Sequence, residues 1–309
     1  VVDVSVRLGT SVGALALANP VMAASGTFGY GLDLLEFCPP ERLGAVVTKG
    51  LSPRPRRGSA TPRIVETAAG MINAIGLQNI GVEAFCADSL PVLRQRGAVV
   101  AVNVFGERME EYVEVIERCE REDGVAAYEL NVSCPNVSAG GMEFGHDVAQ
   151  LQRLTRMCRE ATRRPLWVKL SPNAPDLVGT ARAAVAGGAD ALTLINTVRA
   201  MAIDAGARRP VLARGCGGLS GPAIKPIALR MVWEVHRALP EVPVVGIGGV
   251  VSGRDVAEFL LAGARAVQVG TAIFREPGAP LRIVAELERF CAEHGVVEVG
   301  ELVGALEWH

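Results

Sequence analysis

The feature that most limits what this chain can become is a series of eight short, nearly unbroken apolar segments. Each is separated from the next by a longer stretch. The segments are 19–24 (NPVMAA), 45–48 (AVVT), 99–104 (VVAVNV) and 127–132 (AYELNV), followed by 166–170 (LWVKL), 191–195 (ALTLI), 242–247 (VPVVGI) and 266–269 (AVQV). Strands that alternate apolar and polar residues face water on one side. Continuous apolar runs of this length, rich in Val, Ile and Leu, instead fit parallel strands covered on both faces.

Helical patterning falls between them at 107–121, 147–162, 175–186, 222–238, 252–262 and 279–294. Asp147 and Ser252 are potential caps, and Gly187 and Gly263 mark helix limits. Eight strand–helix units favour closure over a doubly wound open sheet, because closure leaves no exposed strand edge. The expected class is therefore α/β, a single (β/α)8 TIM barrel over residues 1–309. Two segments ahead of the first strand, VSVRL and ALALA, read as a short N-terminal hairpin across the barrel bottom. The stretch 50–99, which contains SPRPRRGSATPRIVE, breaks the regular spacing, as does 197–220. Both read as extended loops over the C-terminal face, where long βα connections build active sites.

Half of the 309 residues are hydrophobic, enough for a large core. Lys and Arg number 31 against 33 for Asp and Glu, a formal net charge of −2 without a basic block, which gives no support to a nucleic-acid partner. No apolar run is long enough for a membrane helix, and VVDVSVRLG lacks a signal-peptide pattern, so no membrane association and a cytoplasmic location are expected. The seven cysteines form no CxxC pair, and the four histidines, at 146, 236, 294 and 309, have no metal-ligand spacing, so no metal site is expected.

Polar residues gather where the strands end. These ends read Thr48-Lys49-Gly50, Asn103, Asn131-Val132-Ser133-Cys134-Pro135-Asn136, Lys169-Leu170-Ser171, Asn196-Thr197, Gly246-Ile247-Gly248-Gly249 and Gly270-Thr271. Glycine turns after strands seven and eight match the usual phosphate position of such barrels, although a Gly-Gly pair is by itself only a tight turn. Lys49 and Lys169 either snorkel to water or stabilise an anionic group such as a reduced flavin or a substrate carboxylate. The asparagines offer donor and acceptor together, which suits an imide or pyrimidine ring. Cys134 is either one more buried thiol or a base beside a hydride acceptor.

Taken in order, the motifs resemble those of the class 1 dihydroorotate dehydrogenases, most closely the NAD-linked 1B catalytic subunit. The matching pieces are ASGTFGYG at 24–31, TKG at 48–50, TPRIVET at 61–67 and GMINAIGLQNIG at 70–81. They continue with NVFG at 103–106, ELNVSCPN at 129–136, WVKLSPN at 167–173, INT at 195–197, GGLSGPAIKPIALRMV at 217–232, GIGGV at 246–250 and VGTA at 269–272. Nearly the whole chain is covered, and the ordered combination of GLQN, NVSCPN and GGLSGPAIKP is highly specific.

The resemblance implies FMN across the barrel mouth. Ala24, Ser25, Gly26, Lys49, Asn103, Asn131, Lys169 and Ile195 would surround its ring and ribityl chain. Ser220, Gly221, Gly248, Gly249, Gly270 and Thr271 would cover the phosphate end. Dihydroorotate would be held by Lys49, Asn73, Ile75, Gly76, Leu77, Asn131, Asn136, Asn196 and Thr197, with Cys134 as the catalytic base and Lys49 beside it. It further implies a homodimer that joins a second subunit carrying FAD and a [2Fe-2S] cluster, in a heterotetramer that passes electrons to NAD+. Where the family pattern has Leu-x-Gly-Met after Asn-Thr, this chain reads Val198-Arg199-Ala200-Met201. The competing readings are a class 1A-like enzyme that reduces fumarate, a pyrimidine-reducing relative, a Schiff-base barrel aldolase or isomerase built on Lys169, and a protein with no catalytic role.

Overall fold

The computed structural model describes residues 5–133, 135–136 and 142–308. Eight strands form a closed, all-parallel barrel: Val21–Ala23, Ala45–Val47, Val100–Val104, Val125–Asn131, Leu166–Lys169, Ala191–Leu194, Val244–Ile247 and Ala264–Val269. They neighbour one another in sequence order, and the eighth closes against the first through Val267 and Val21. Each expected strand is present within two residues of its expected limits. Six outer helices also match: Met109–Glu120, Val148–Glu160, Leu177–Ala186, Lys225–Ala238, Gly253–Leu261 and Ala279–Glu293. Asp147 accepts from the backbone N–H groups of Ala149 and Gln150, and Ser252 forms a reciprocal capping box with Asp255.

The barrel interior is layered by size. Its lower part holds one large side chain, Trp167, fully buried among Ala45, Ala101, Ala127, Ala191 and Ala266, with Met22, Val47 and Val245. Small residues on strands two, three, four, six and eight make room for the indole, and pairing small with large side chains is a common way to fill a narrow barrel. The N-terminal hairpin stoppers this end, placing Val12 and Leu17 in the same cluster. Its strands differ from expectation: Thr10–Val12 pairs with Leu15–Leu17, and VSVRL contributes no strand. Gly13, at φ +61, supplies the left-handed first position of a two-residue turn, which fixes that register. Arg7, expected in the first strand, makes an isolated parallel bridge to Glu298 near the C-terminus.

The 50–99 stretch is not a loop throughout. Residues 82–95 are helical and supply the missing helix between strands two and three, burying Phe85, Leu90 and Leu93. Pro91 lies within this helical segment. It is tolerated because a wider π turn, Phe85–Ser89, precedes Leu90–Gln95 and the proline falls at the start of that helix.

The two excursions over the C-terminal face, expected as loops, form one antiparallel sheet. Its strands run in the order Val198–Met201, Cys216–Ser220, Gly70–Asn73, Ile64–Thr67. Ala200, where the family pattern has glycine, lies in this sheet opposite Gly217. The structure therefore accommodates the departure within a regular ladder. Five of the described cysteines (38, 86, 119, 158 and 291) are buried and Cys216 is half-buried. Among the described residues no helix is long and apolar enough to cross a membrane.

Candidate functional site

Side chains on alternate positions of a barrel strand share the interior. One step above the Trp167 layer, that alternation delivers Asn103, Glu129, Lys169, Thr193 and Gln268, all buried. Asn103 donates from Nδ2 to Glu129 Oε1 at 2.7 Å, and Gln268 donates from Nε2 to Glu129 Oε2 at 2.7 Å. Lys169 Nζ lies 3.6 Å from Glu129 Oε1. This polar layer floors the C-terminal mouth. Asn103 Oδ1, Thr193 Oγ1 and Gln268 Oε1 are buried without a hydrogen-bond partner among the described residues. Buried polar atoms are ordinarily satisfied, so spare capacity here fits a site that takes a polar ligand.

Asn131 and Asn196, at the ends of strands four and six, are in direct contact: Asn196 Nδ2 donates to Asn131 Oδ1 at 3.1 Å. The backbone N–H of Thr197 donates to Asn196 Oδ1 at 2.8 Å, which orients that amide. Tyr112 donates its hydroxyl to the Asn131 carbonyl at 2.8 Å and fixes the strand end. Lys49 follows strand two, half-buried, its backbone N–H donating to the Gly29 carbonyl. Burial holds its amine below the usual lysine range and the nearby Arg63 cation adds to this, while Asp33 acts in the opposite direction.

The antiparallel sheet brings the excursion residues over the mouth. Asn73 donates from Nδ2 to the Gly218 carbonyl at 3.3 Å, and Thr197 packs so closely on Gly218 that a Cβ there would meet Thr197 Oγ1 at 1.9 Å. The Ile75 carbonyl accepts from Ser59 N–H at 2.9 Å. Gly76 has φ +74, and Leu77 has φ +58, a left-handed conformation that costs a non-glycine residue about 1–2 kcal/mol. Asn79 secures it by donating to the Leu77 carbonyl at 3.0 Å. Backbone held in this way is a recurrent mark of ligand-contacting segments.

The residues expected around a phosphate lie near one another. Thr271 Oγ1 donates to Ser220 Oγ at 2.8 Å, joining the strand-eight turn to the sheet. Gly249, at φ +74, approaches the Gly221 carbonyl so closely that a Cβ would stand 2.9 Å away. Gly248 (φ +129) and Gly221 (φ +96) share this left-handed backbone. Gly270 lies against Ala24, and Ala24 N–H donates to the Val269 carbonyl at 2.8 Å. Gly26, next to Ser25, has φ +86 and faces open space, so a ligand can approach its backbone. Ile195 is buried at the end of strand six. Cys134 lies outside the described residues. Asn136 is placed only through its backbone, in a two-residue strand opposite Met142.

Two groups of residues escaped the sequence reading. Glu129, Thr193 and Gln268 are polar interruptions within apolar strands, two to three residues before the functional strand ends, and that alternation was the available signal. The arginines of SPRPRRGS were read as loop residues. Arg56 and Arg57 join Arg214, Ser59 and Gly76 around an open cavity of about 700 Å³ at the rim, where Arg56 pairs with Glu107.

A closed barrel with a buried polar floor, converging amides and a cluster of glycine turns at one mouth has the construction of a cofactor-binding barrel enzyme. The sequence profile of the family described as Dihydroorotate dehydrogenase matches residues 7–291. The chain is 54% identical over 300 residues to the Geobacter sulfurreducens protein called dihydroorotate dehydrogenase B (NAD(+)), catalytic subunit, covering 97% of this chain and 98% of that one. It is 56% identical over 293 residues to the Pelobacter propionicus protein of the same name, covering 95% and 96%. The chain belongs to the dihydroorotate dehydrogenase family.

Proposed function

We propose that this chain is the catalytic subunit of an NAD-linked dihydroorotate dehydrogenase, oxidising (S)-dihydroorotate to orotate in pyrimidine biosynthesis. The observation that carries this reading is the contact of Asn131 with Asn196 at a mouth that also holds Lys49, Asn73 and the Ser220–Thr271 pair. Amides that donate and accept together suit the ring edge of a pyrimidine, and an ammonium suits its carboxylate. Asn103, Lys169, Ala24, Ser25, Gly26 and Ile195 would hold the ring of FMN, with Ser220, Gly221, Gly248, Gly249, Gly270 and Thr271 at its phosphate. FMN, when bound, supplies the hydride acceptor.

The chain's own residues do the rest. Lys49, Asn73, Asn131, Asn136, Asn196 and Thr197, with the backbone of Ile75, Gly76 and Leu77, orient the substrate ring. Cys134 takes the C5 proton on sulfur as the C6 hydrogen departs with its electron pair, and the C5=C6 double bond forms. The base role of Cys134 rests on its place in ELNVSCPN. We read residues 1–309 as one FMN-binding domain working in the cytoplasm, as a homodimer within a heterotetramer whose second subunit carries FAD and [2Fe-2S].

The test is anaerobic titration of the purified, FMN-loaded chain with dihydroorotate, following the visible flavin band, with Cys134→Ser alongside. Stoichiometric bleaching that is far slower in the variant is the expected result. Flavin left oxidised by dihydroorotate would overturn the reading. Addition of NAD+ or fumarate, with and without the partner subunit, then separates the two candidate acceptors.

A further inference from the structure

Glu129 has no part in the reaction as described, yet it is the most enclosed charged side chain of the mouth. It is fully buried at the centre of the polar layer. Strands four and eight face each other across the barrel, so the Glu129–Gln268 hydrogen bond crosses the barrel axis. The carboxylate gathers Asn103, Gln268 and Lys169 around its two oxygens. Asn103 and Lys169 are also the residues the proposed reading places against the FMN ring.

Burying a carboxylate is costly, and a buried ion pair contributes little net stability beside well-packed apolar residues. Stability alone gives no reason to build such a group where the layer below is Trp167 among alanines. Position does give one. A cation beneath a flavin ring favours the electron-rich reduced form. A carboxylate 3.6 Å behind that cation offsets its field and restrains where the ammonium can go.

We propose that Glu129 is a positioning and counter-charge residue for the cofactor: it fixes Lys169 and Asn103 under the flavin ring and sets the flavin's reduction potential. The proposal rests on the FMN reading above. Glu129→Gln keeps the shape and removes the charge, leaving Lys169 uncompensated, so electrons partition toward the protein-bound flavin. The expected shift is about tenfold, equivalent to about 30 mV for a two-electron couple. Lys169→Met shifts the partition the opposite way. If Glu129 acts through the ammonium, its effect in the Lys169→Met background is much smaller than its effect alone.

The experiment equilibrates FMN-loaded native protein, Glu129→Gln, Lys169→Met and the double variant with redox dyes. It reads potentials spectroscopically, with circular dichroism as a folding control. A partition in Glu129→Gln within about twofold of native overturns the proposal, as does an equal effect in both backgrounds. Should Glu129→Gln not fold, Lys169→Met and the charge-balanced double variant carry the test alone. There the proposal requires Lys169→Met to shift the partition away from the flavin and the double variant to lie close to Lys169→Met, and a tenfold difference between these two variants refutes it. Native protein that takes up no FMN would remove the underlying reading and this proposal together. Native protein that takes up FMN beside an unresponsive Glu129→Gln removes this proposal alone.

Discussion

Gly221 stands where the sheet over the mouth meets the proposed phosphate end, and replacing it with alanine tests whether that junction builds the cofactor site. The residue has φ +96, in the left-handed region. Occupying that region costs a residue with a Cβ about 1–2 kcal/mol. The new methyl would also stand 2.7 Å from Gly70 Cα and 3.3 Å from the Ala69 carbonyl. Both neighbours are backbone, held by the sheet and by the Ala223 N–H donating to Ala69, so neither swings aside. Overpacking of this kind adds about 1–3 kcal/mol. If only about 1.4 kcal/mol of the sum falls on the FMN-binding geometry, affinity drops about tenfold. Quenching of flavin fluorescence on titration into the apoprotein measures it directly. Gly97→Ala is the control, because Gly97 has φ +75 but no atom within 4 Å of the added Cβ, and it lies away from the mouth. Gly97→Ala should lower the melting temperature slightly and leave FMN affinity unchanged. A folded Gly221→Ala protein that binds FMN within about twofold of native would refute the reasoning.

Trp167→Ala empties the lower barrel, where flanking alanines cannot fill the space, and should cost about 3–5 kcal/mol in denaturant unfolding. Reversing Arg57 and Arg214 to glutamate should lower kcat/KM for the anionic substrate while leaving kcat unchanged, with the difference shrinking as salt rises; a salt-independent loss would argue against a steering role. Burial, with Arg265 nearby, lowers the pKa of His236 below the usual imidazole value. A depressed folded pKa means the unfolded chain binds the extra proton more readily. This contribution is therefore intact above the ordinary histidine range and lost as pH falls through it. Melting temperature should decline between about pH 7 and pH 5.5, and His236→Gln should flatten that part of the profile.

The barrel was legible because parallel strands buried on both faces announce themselves as apolar runs, and each run ends in the residues that reach the mouth. Asn131, Asn196, Lys169 and Thr271 were found by position at a strand end and Ser220 through the motif GGLSGPAIKP; the structure places Asn131 against Asn196 and Ser220 against Thr271. Glu129 and Gln268 were passed over because they sit inside runs read only for apolar character. Their inward parity, shared with Asn131 and Val267's opposite face, was equally present in the sequence. The helix over 82–95 was hidden because the whole of 50–99 was read from the prolines and charges of SPRPRRGSATPRIVE. The sheet over the mouth was illegible for a different reason. Its pairing joins segments far apart in the chain, and neither segment has a regular apolar face of its own.

That pairing also orders the making of the molecule. Asn73 and the Gly218 carbonyl it bonds are 145 residues apart, and Ser220 meets Thr271 only once the eighth strand exists. Local βα units can form as the chain leaves the ribosome, but contacts between distant segments wait for both ends. A nascent chain that has completed four or five strands thus carries Lys49, Asn103 and Glu129 with no roof above them and no phosphate seat beside them. Cofactor capture becomes a closing event of biosynthesis, and a truncated product would carry many of the reactive residues without a complete place for FMN.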